Sequence, residues 1–346
     1  MTDFSADTKK IYRIGIDIAK NVFQIHGVDK NDKCILRKKI SRRSMIEFFS
    51  NLPPCIIGME ACGGSHFWAR KLTSMGHTVR LIAAKFVKPY VKNNKNDARD
   101  AEAICEAISR PGMNFVPVKN VEQHDLQSLH RIRELTKKNR TALVNQIRGL
   151  LMEYGIVINR GVSHARKNIP VILEDADNEL TATARDMIGE LHRDLLSLDL
   201  KLNTYDQRIS AIAKSSETCK RLMAIDGVGE LTATALLAAV GNAHQFKNGR
   251  ALAAWIGLVP RQHSSGGKTR LSGISKHGNS YLRTLLVHGG RAVIQNCDKK
   301  DDSTSKWLSS IKKRTGTNCA CVARANKVAR VAWVILAKGE TYRKAA

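Results

Sequence analysis

Residues 11–27, IYRIGIDIAKNVFQIHG, decide how the first third of the chain reads. Tyr12 to Ile18 is β-branched and apolar, with Asp17 near its end. Val22 to Gly27 follows closely, so the pair reads as two strands of a hairpin. Working outward, Cys34 to Ile40 is a third strand and Ser44 to Leu52 a helix stopped by Pro53-Pro54. Cys55 to Glu60 (CIIGME) is a short buried strand ending in an acid. Gly63-Gly64 turns into a helix from Ser65 to Met75, and Val79 to Ala83 is another strand. Asp97 to Ser109 is a helix ended by Pro111-Gly112. Strands first, then strands alternating with helices, predict an α/β domain on a mixed sheet.

Four acids stand out against that frame. Asp17 lies on the first strand, Glu60 ends a later one, and Asp97 and Asp100 open a helix. The last two are three residues apart, so they share a helical face. Hard carboxylate oxygens gathered at one point suit Mg²⁺, and a divalent centre suits phosphodiester chemistry. Each acid also has a plainer reading: Asp17 as a turn cap, Asp97 as an N-cap, Glu60 as a surface acid at a strand end. The GID start also suits ATPases of the actin-like fold. Those need Gly-rich phosphate loops, and Gly63-Gly64 follows an acid that such a loop would not accept beside phosphate.

Charge separates the remaining classes. Lys and Arg number 57 against 31 Asp and Glu, a formal net charge of +26 in 346 residues. A field of that sign draws polyanions, nucleic acid first among them. No run reaches the roughly 18 apolar residues of a membrane span, and Met1 to Lys10 has no apolar signal region. The eight cysteines form no CxxC pair, so reduced thiols in the cytoplasm are the expectation.

The rest of the chain reads as mainly helical. Leu126, Leu129, Ile132, Leu135, Leu143, Ile147 and Leu150 recur near a helical period between Val121 and Tyr154. Leu191, Leu195, Leu198, Leu202 and Ile209 do so between Asn178 and Ala213. These two helices read as a connector or coiled-coil pair, or as an ordinary helical subdomain. Leu222 to Val240 is helix, Gly-x-Gly turn, helix. It is either a helix-hairpin-helix element whose amides beside Gly227 and Gly229 face a phosphate, or a plain helical hairpin. No Asp or Glu falls between Glu230 and Asp298, while Lys247, Arg250, Arg261, Lys268, Arg270, Lys276, Arg283 and Arg291 do. A solvated face normally mixes both signs, so this stretch predicts a phosphate-facing surface. Within it, 257–279 (GLVPRQHSSGGKTRLSGISKHGN) reads as a flexible loop. A serine there becomes nucleophilic only with a base, a metal or cations beside it. Arg261, His263, Lys268 and Arg270 are the nearby candidates.

The motifs IGIDIAK, GMEACGG, KNDARDAEAI and WIGLVPRQHSSGGKTRLSGISKHGNSYLRTLLVHGGRA together resemble the insertion-sequence-110 family of transposases, and within it the insertion-sequence-1111 group. The likeness runs from about Tyr12 to Leu336. It implies a RuvC-like, ribonuclease H-type N-terminal domain with a DEDD acid set, which falls here on Asp17, Glu60, Asp97 and Asp100, holding Mg²⁺ or Mn²⁺. It implies a C-terminal transposase domain whose serine, in a Ser-Gly pair after Leu-x-Pro-Arg, falls on Ser265, with Ser264 adjacent. Ser272 and Ser275 stay open on chemistry alone. It also implies DNA as donor and target, a structured non-coding RNA as guide, and a homo-oligomer, dimer or tetramer. The expected division is 11–118 (catalytic), 119–215 (helical connector), 218–305 (transposase domain with Arg261, His263, Lys268, Arg270, Lys276 and Arg283 on nucleic acid) and 306–346 (basic helical tail). The competing functions are a RuvC-like junction nuclease that uses water, and a nucleic-acid-binding protein without catalysis.

Overall fold

The computed structural model describes residues 10–91 and 97–343. The chain separates into two compact units, divided between Val121 and Glu122. The first two residues of the KNDARDAEAI motif, Lys95 and Asn96, lie outside the described residues, as do residues 1–9 and 344–346.

The N-terminal unit is built on one mixed sheet. Its strands are β1 (Arg13–Ile18), β2 (Val22–Val28), β3 (Cys34–Ser41), β4 (Ile56–Glu60), β5 (Thr78–Ile82) and a two-residue β6 (Phe115–Val116). Their order is β3-β2-β1-β4-β5-β6. β1, β2 and β3 pair antiparallel, β1–β4 and β4–β5 pair parallel, and β6 returns antiparallel. The helices are α1 (Met45–Ser50), α2 (Ser65–Ser74), α3 (Ala84–Val87) and α4 (Asp97–Ala107). The mixed α/β expectation describes this unit. β6 and α3 have no signal in the sequence because each is too short to show a period.

Alternation along the strands sorts the two faces. Ile14, Ile16, Phe23, Ile25, Ile57 and Met59 pack with Phe48, Phe49, Trp68 and Leu72 of α1 and α2. The intervening residues Gly15 and Gly58 face α4 instead. A Cβ on Gly15 would lie 2.1 Å from the Ala101 carbonyl oxygen, and one on Gly58 would lie 2.7 Å from Ile108. Two glycines side by side on adjacent strands thus let α4 settle onto the sheet backbone.

The C-terminal unit is mainly helical: α5 (Val121–Met152), α6 (Val162–Glu174), α7 (Ala182–Ser215), α8 (Glu217–Met223), α9 (Glu230–Val240), α10 (Gly249–Ile256), α11 (Ser280–Ile294), α12 (Ser303–Thr315) and α13 (Thr317–Lys338). The ion pairs Arg133–Asp206 and Arg140–Asp199 tie α5 to α7 in antiparallel sense. Ile147, Leu151, Ala184, Ile188 and Leu195 form their shared core with Ala165 and Ile169 of α6. Leu195, Leu202 and Ile209 of the expected stripe are therefore buried within the chain.

The expected basic helical stretch from 306 forms most of α12 and all of α13, and Ala325, Val328, Ala329, Ala332 and Ile335 of α13 sit in the same core as α8 to α11. Its alanine-rich stripe allows close helix approach; Lys327, Arg330 and Lys338 are exposed, whereas Arg324 is buried and donates to the Asp226 carbonyl. Residues 260–274 are not a flexible loop but a hairpin, β7 (Pro260–Ser265) and β8 (Lys268–Ile274). Every residue of β7 is exposed. With no face to bury, the strands carry no period-2 apolar pattern, and only the turn residues mark them. Among the described residues, no helix is long and apolar enough to cross a membrane.

Candidate functional site

The first cluster follows from the Gly15–Ala101 contact. Once α4 rests on β1 at Gly15, its first turn lies over the end of the strand, two residues further on at Asp17. The parallel register pairs Gly15 with Gly58 and Ile16 with Met59. One step beyond, Asp17 and Glu60 occupy neighbouring strand ends on the α4 side of the sheet. Carboxylate oxygens of Asp17, Asp97 and Asp100 all lie within 4.8 Å of one another. Glu60 stands outside that trio. Together with Asp17, however, its charge helps hold the nearby Cys62 thiol above its usual range, secondary to burial.

Like charges this close repel by roughly 3 kcal/mol per pair at an effective dielectric of about 20, before solvent screening. A divalent cation removes that repulsion. The donor set is all carboxylate oxygen, without Cys or His, which fits Mg²⁺ or Mn²⁺ rather than zinc. Asp97 is exposed, and Asp17 and Asp100 are half-exposed, so the cluster is open to a large substrate.

The second cluster is on the β7–β8 hairpin. Gly266 and Gly267 turn the chain with φ of 54° and 75°, the paired positive values of a two-residue type I′ turn. Register pairs Ser265 with Lys268, Ser264 with Thr269, His263 with Arg270 and Gln262 with Leu271. Alternation then separates the two serines. Ser265 shares a face with His263, Lys268 and Arg270. Ser264 lies on the other face, where its Oγ accepts a hydrogen bond from Gln262 Nε2 at 2.8 Å. Ser272 is nearer the hairpin base, and the Ser275 amide donates to the Val259 carbonyl to close that base.

The other predicted contacts divide. Arg261 and Lys276 are exposed. Arg283 is half-buried and donates to the Ile256 carbonyl at the end of α10, so it helps hold the helix in place. Gly227 packs against α11, where a Cβ would lie 2.7 Å from the Gly289 carbonyl oxygen, whereas Gly229 faces open space. The close approach to α11 is by itself a reason for glycine at 227.

A polar triad in the C-terminal unit went unforeseen. Buried His130 lies 3.0 Å from the Tyr281 hydroxyl through Nδ1 and 3.1 Å from Thr234 Oγ1 through Nε2. The Thr234 hydroxyl donates to the Glu230 carbonyl, so it accepts from His130, and Nδ1 accepts from Tyr281. Burial, with Arg133 adding to it, pulls the imidazole down to about 4. The three residues come from α5, α9 and α11, and no local motif announces them.

Comparison with known proteins agrees with this two-part layout. Residues 14–156, which include all four acids, match a family described as Transposase. Residues 219–305, which include the hairpin, match the Transposase IS116/IS110/IS902 family. The chain is 47% identical to the transposase for insertion sequence element IS1111A of Coxiella burnetii, over 97% of this chain and 92% of that protein. It is 38% identical to the transposase for insertion sequence element IS1328 of Yersinia enterocolitica, over 96% of this chain and 98% of that protein. It is also 29% identical to a pilin gene-inverting protein of Moraxella bovis, over 47% of this chain and 63% of that protein. The chain belongs to the IS110 family of transposases and is a DNA transposase/recombinase.

Proposed function

We propose that this transposase cuts and rejoins DNA at specific sites through a covalent serine–DNA intermediate, supported by a divalent metal on a RuvC-like, ribonuclease H-type domain. The observation that carries this reading is the convergence of Asp17, Asp97 and Asp100, with carboxylate oxygens within 4.8 Å of one another. Glu60, at the neighbouring strand end, completes the set. Bound Mg²⁺ or Mn²⁺ would supply Lewis acidity toward phosphodiester oxygens.

The chain's own residues do the rest. Ser265 Oγ loses its proton and attacks the scissile phosphorus. The P–O bond to one DNA strand breaks, that strand leaves with a free hydroxyl, and the other stays on Ser265 as a phosphodiester. Attack by the hydroxyl of a new strand then expels Ser265 and restores the DNA backbone. One phosphodiester replaces another at each step, so no ATP is needed, in keeping with a sequence that lacks GxxxxGK[ST]. Lys268 and Arg270, on the same face as Ser265, offset the charge gathering on the phosphoryl oxygens.

The reading includes a structured RNA from the element as guide and a homo-oligomer as the acting form. Lys and Arg contacts to phosphate are blind to sequence, so an RNA that base-pairs supplies the missing specificity. Treating the purified protein with ribonuclease should abolish site choice.

The decisive assay combines protein, Mg²⁺, the element's RNA and labelled element-junction DNA on a denaturing gel. A protein–DNA band that disappears in Ser265→Ala and in Asp17→Asn is expected. Free cut DNA that persists in Ser265→Ala would replace this reading with a nuclease that uses water. Element activity surviving both Asp97→Asn and Asp100→Asn would leave only nucleic-acid binding.

A further inference from the structure

The C-terminal unit carries a groove of about 1250 Å³ that the chemistry above does not use. One wall is a stripe of α13 that includes Cys319, Val322, Lys327, Arg330 and Val334, spaced along one helical face. The opposite wall is the base of the β7–β8 hairpin, at Pro260 and 272–274. Half-buried Trp307 and Trp333 give it aromatic surface. Arg250, Lys276, Lys327 and Arg330 line it, all four exposed, and no Asp or Glu does. None of the four is in an ion pair among the described residues. Lys327 instead sits 4.8 Å from the centre of the Trp307 ring.

We infer that this groove holds an unpaired stretch of DNA strand, phosphates on the four cations and bases against the indole rings and valines. A duplex keeps its base faces stacked inside and offers phosphates, sugars and groove edges, which would leave the indole faces without stacking partners. A single strand offers phosphates and open base faces, and aromatic platforms beside cations are how proteins hold one. A second copy of this chain is a poor occupant, because its matching stripe brings the same cations in a protein of net charge +26. The choice of DNA over RNA rests on the reading of Ser265 given above. Ser265 lies five residues along β7 from Pro260, about 17 Å at the usual strand rise, so the groove begins where a strand leaving the serine would run.

Cys319 offers a direct test, being exposed and within the groove. The full chain is treated with a maleimide alone or with saturating dT12, rU12 or a 12-base-pair duplex, and alkylation of Cys319 is followed by peptide mass analysis. Protection of about fivefold or more by dT12, and little by the duplex, is expected. Fluorescence polarisation then gives Kd for the same three probes. Trp307→Ala should weaken dT12 by about tenfold. Lys327→Gln and Arg330→Gln should each flatten the log–log salt dependence for dT12 by about 0.7, the value for one phosphate of a single strand that is no longer neutralised. Duplex binding should stay within about twofold.

Equal alkylation with and without dT12 would overturn the proposal, and so would equal weakening for duplex and single strand. Tighter binding and stronger protection by rU12 than by dT12 would reassign the groove to RNA. Altered self-association in the two Gln variants with unchanged dT12 affinity would make it a surface between copies. None of these readouts needs cleavage. Ser265→Ala should bind and protect like the wild type, so failure of the covalent intermediate and failure of the groove are separable.

Discussion

Gly15 of β1 and Ala101 of α4 meet so closely that a Cβ on the glycine would lie 2.1 Å from the Ala101 carbonyl oxygen. That approach sets the height of α4 above the sheet and carries Asp97 and Asp100 over Asp17. Neither residue carries chemistry, yet the spacing of three carboxylates follows from them. Gly15→Ala should cost about 1–3 kcal/mol through overpacking and lower transposition far more than the loss of folded protein explains. Thermal melting and a junction-DNA cleavage assay check this; full activity would separate α4 placement from the site.

Removing one carboxylate should act differently on the metal-free and metal-loaded protein. Asp100 gains about 0.3–1 kcal/mol from the α4 dipole, against roughly 3 kcal/mol of repulsion from each close carboxylate before screening. Screening at this exposed site reduces the repulsion, which summed over two neighbours still offsets the dipole gain. Asp100→Asn should therefore leave the Tm in chelator unchanged or higher. Mg²⁺ should raise the wild-type Tm with concentration, as binding to the folded state requires, and should not raise that of the variant. An equal Mg²⁺ shift in both would place the ion elsewhere.

The two neighbouring serines should behave oppositely. Ser265→Ala should abolish the covalent protein–DNA band. Ser264→Ala, which removes only the bond from Gln262, should keep it within about threefold. Peptide mapping of the adduct decides between them, and DNA found on Ser264 would reverse the assignment.

Acid should loosen the C-terminal unit through His130. Its folded pKa near 4 lies below the ordinary value of 6.5, so the unfolded chain binds the extra proton between the two. The stability from keeping it neutral is complete above about pH 6.5 and is lost as pH falls toward 4. The full loss is about 3 kcal/mol. Arg133, Thr234 and Tyr281 surround it and none supplies a negative charge in this range. Burial lowers His26 and His192 in the same direction. In urea titrations from pH 7 to 4, His130→Leu should start less stable and show a shallower decline; an unchanged slope would acquit this residue.

The helical pair offers a cleaner oligomer test than its buried stripe. Leu195 and Leu202 are core, whereas Leu196 and Leu200 on α7 and Leu135 on α5 are exposed. Leu200→Glu should reduce mass in light scattering at little cost in Tm if copies join here, while Leu195→Glu should destabilise the fold itself. Unchanged mass in Leu200→Glu would remove this face as the interface.

The sequence by itself determined the elements whose burial leaves a periodic imprint. β1 to β5, α2, α4, α5 and α7 were legible from apolar runs, helical spacing and glycine or proline punctuation, and the excess of basic residues named the class of partner. The motifs around Asp17, Glu60, Asp97 and Asp100 carried the family. What they could not carry was depth and face. The roles of Gly15 and Gly58 emerge only when α4 lies on them, because a close approach involves two segments far apart in the chain. The hairpin at 260–274 was hidden because exposed strands leave no apolar pattern, and its pairing alone put Ser265 and Ser264 on opposite faces. His130, Tyr281 and Thr234 are ordinary residues until three helices bring them together. Local pattern is fixed by what each segment must bury, whereas a site is fixed by which segments meet, and only the tertiary structure decides that.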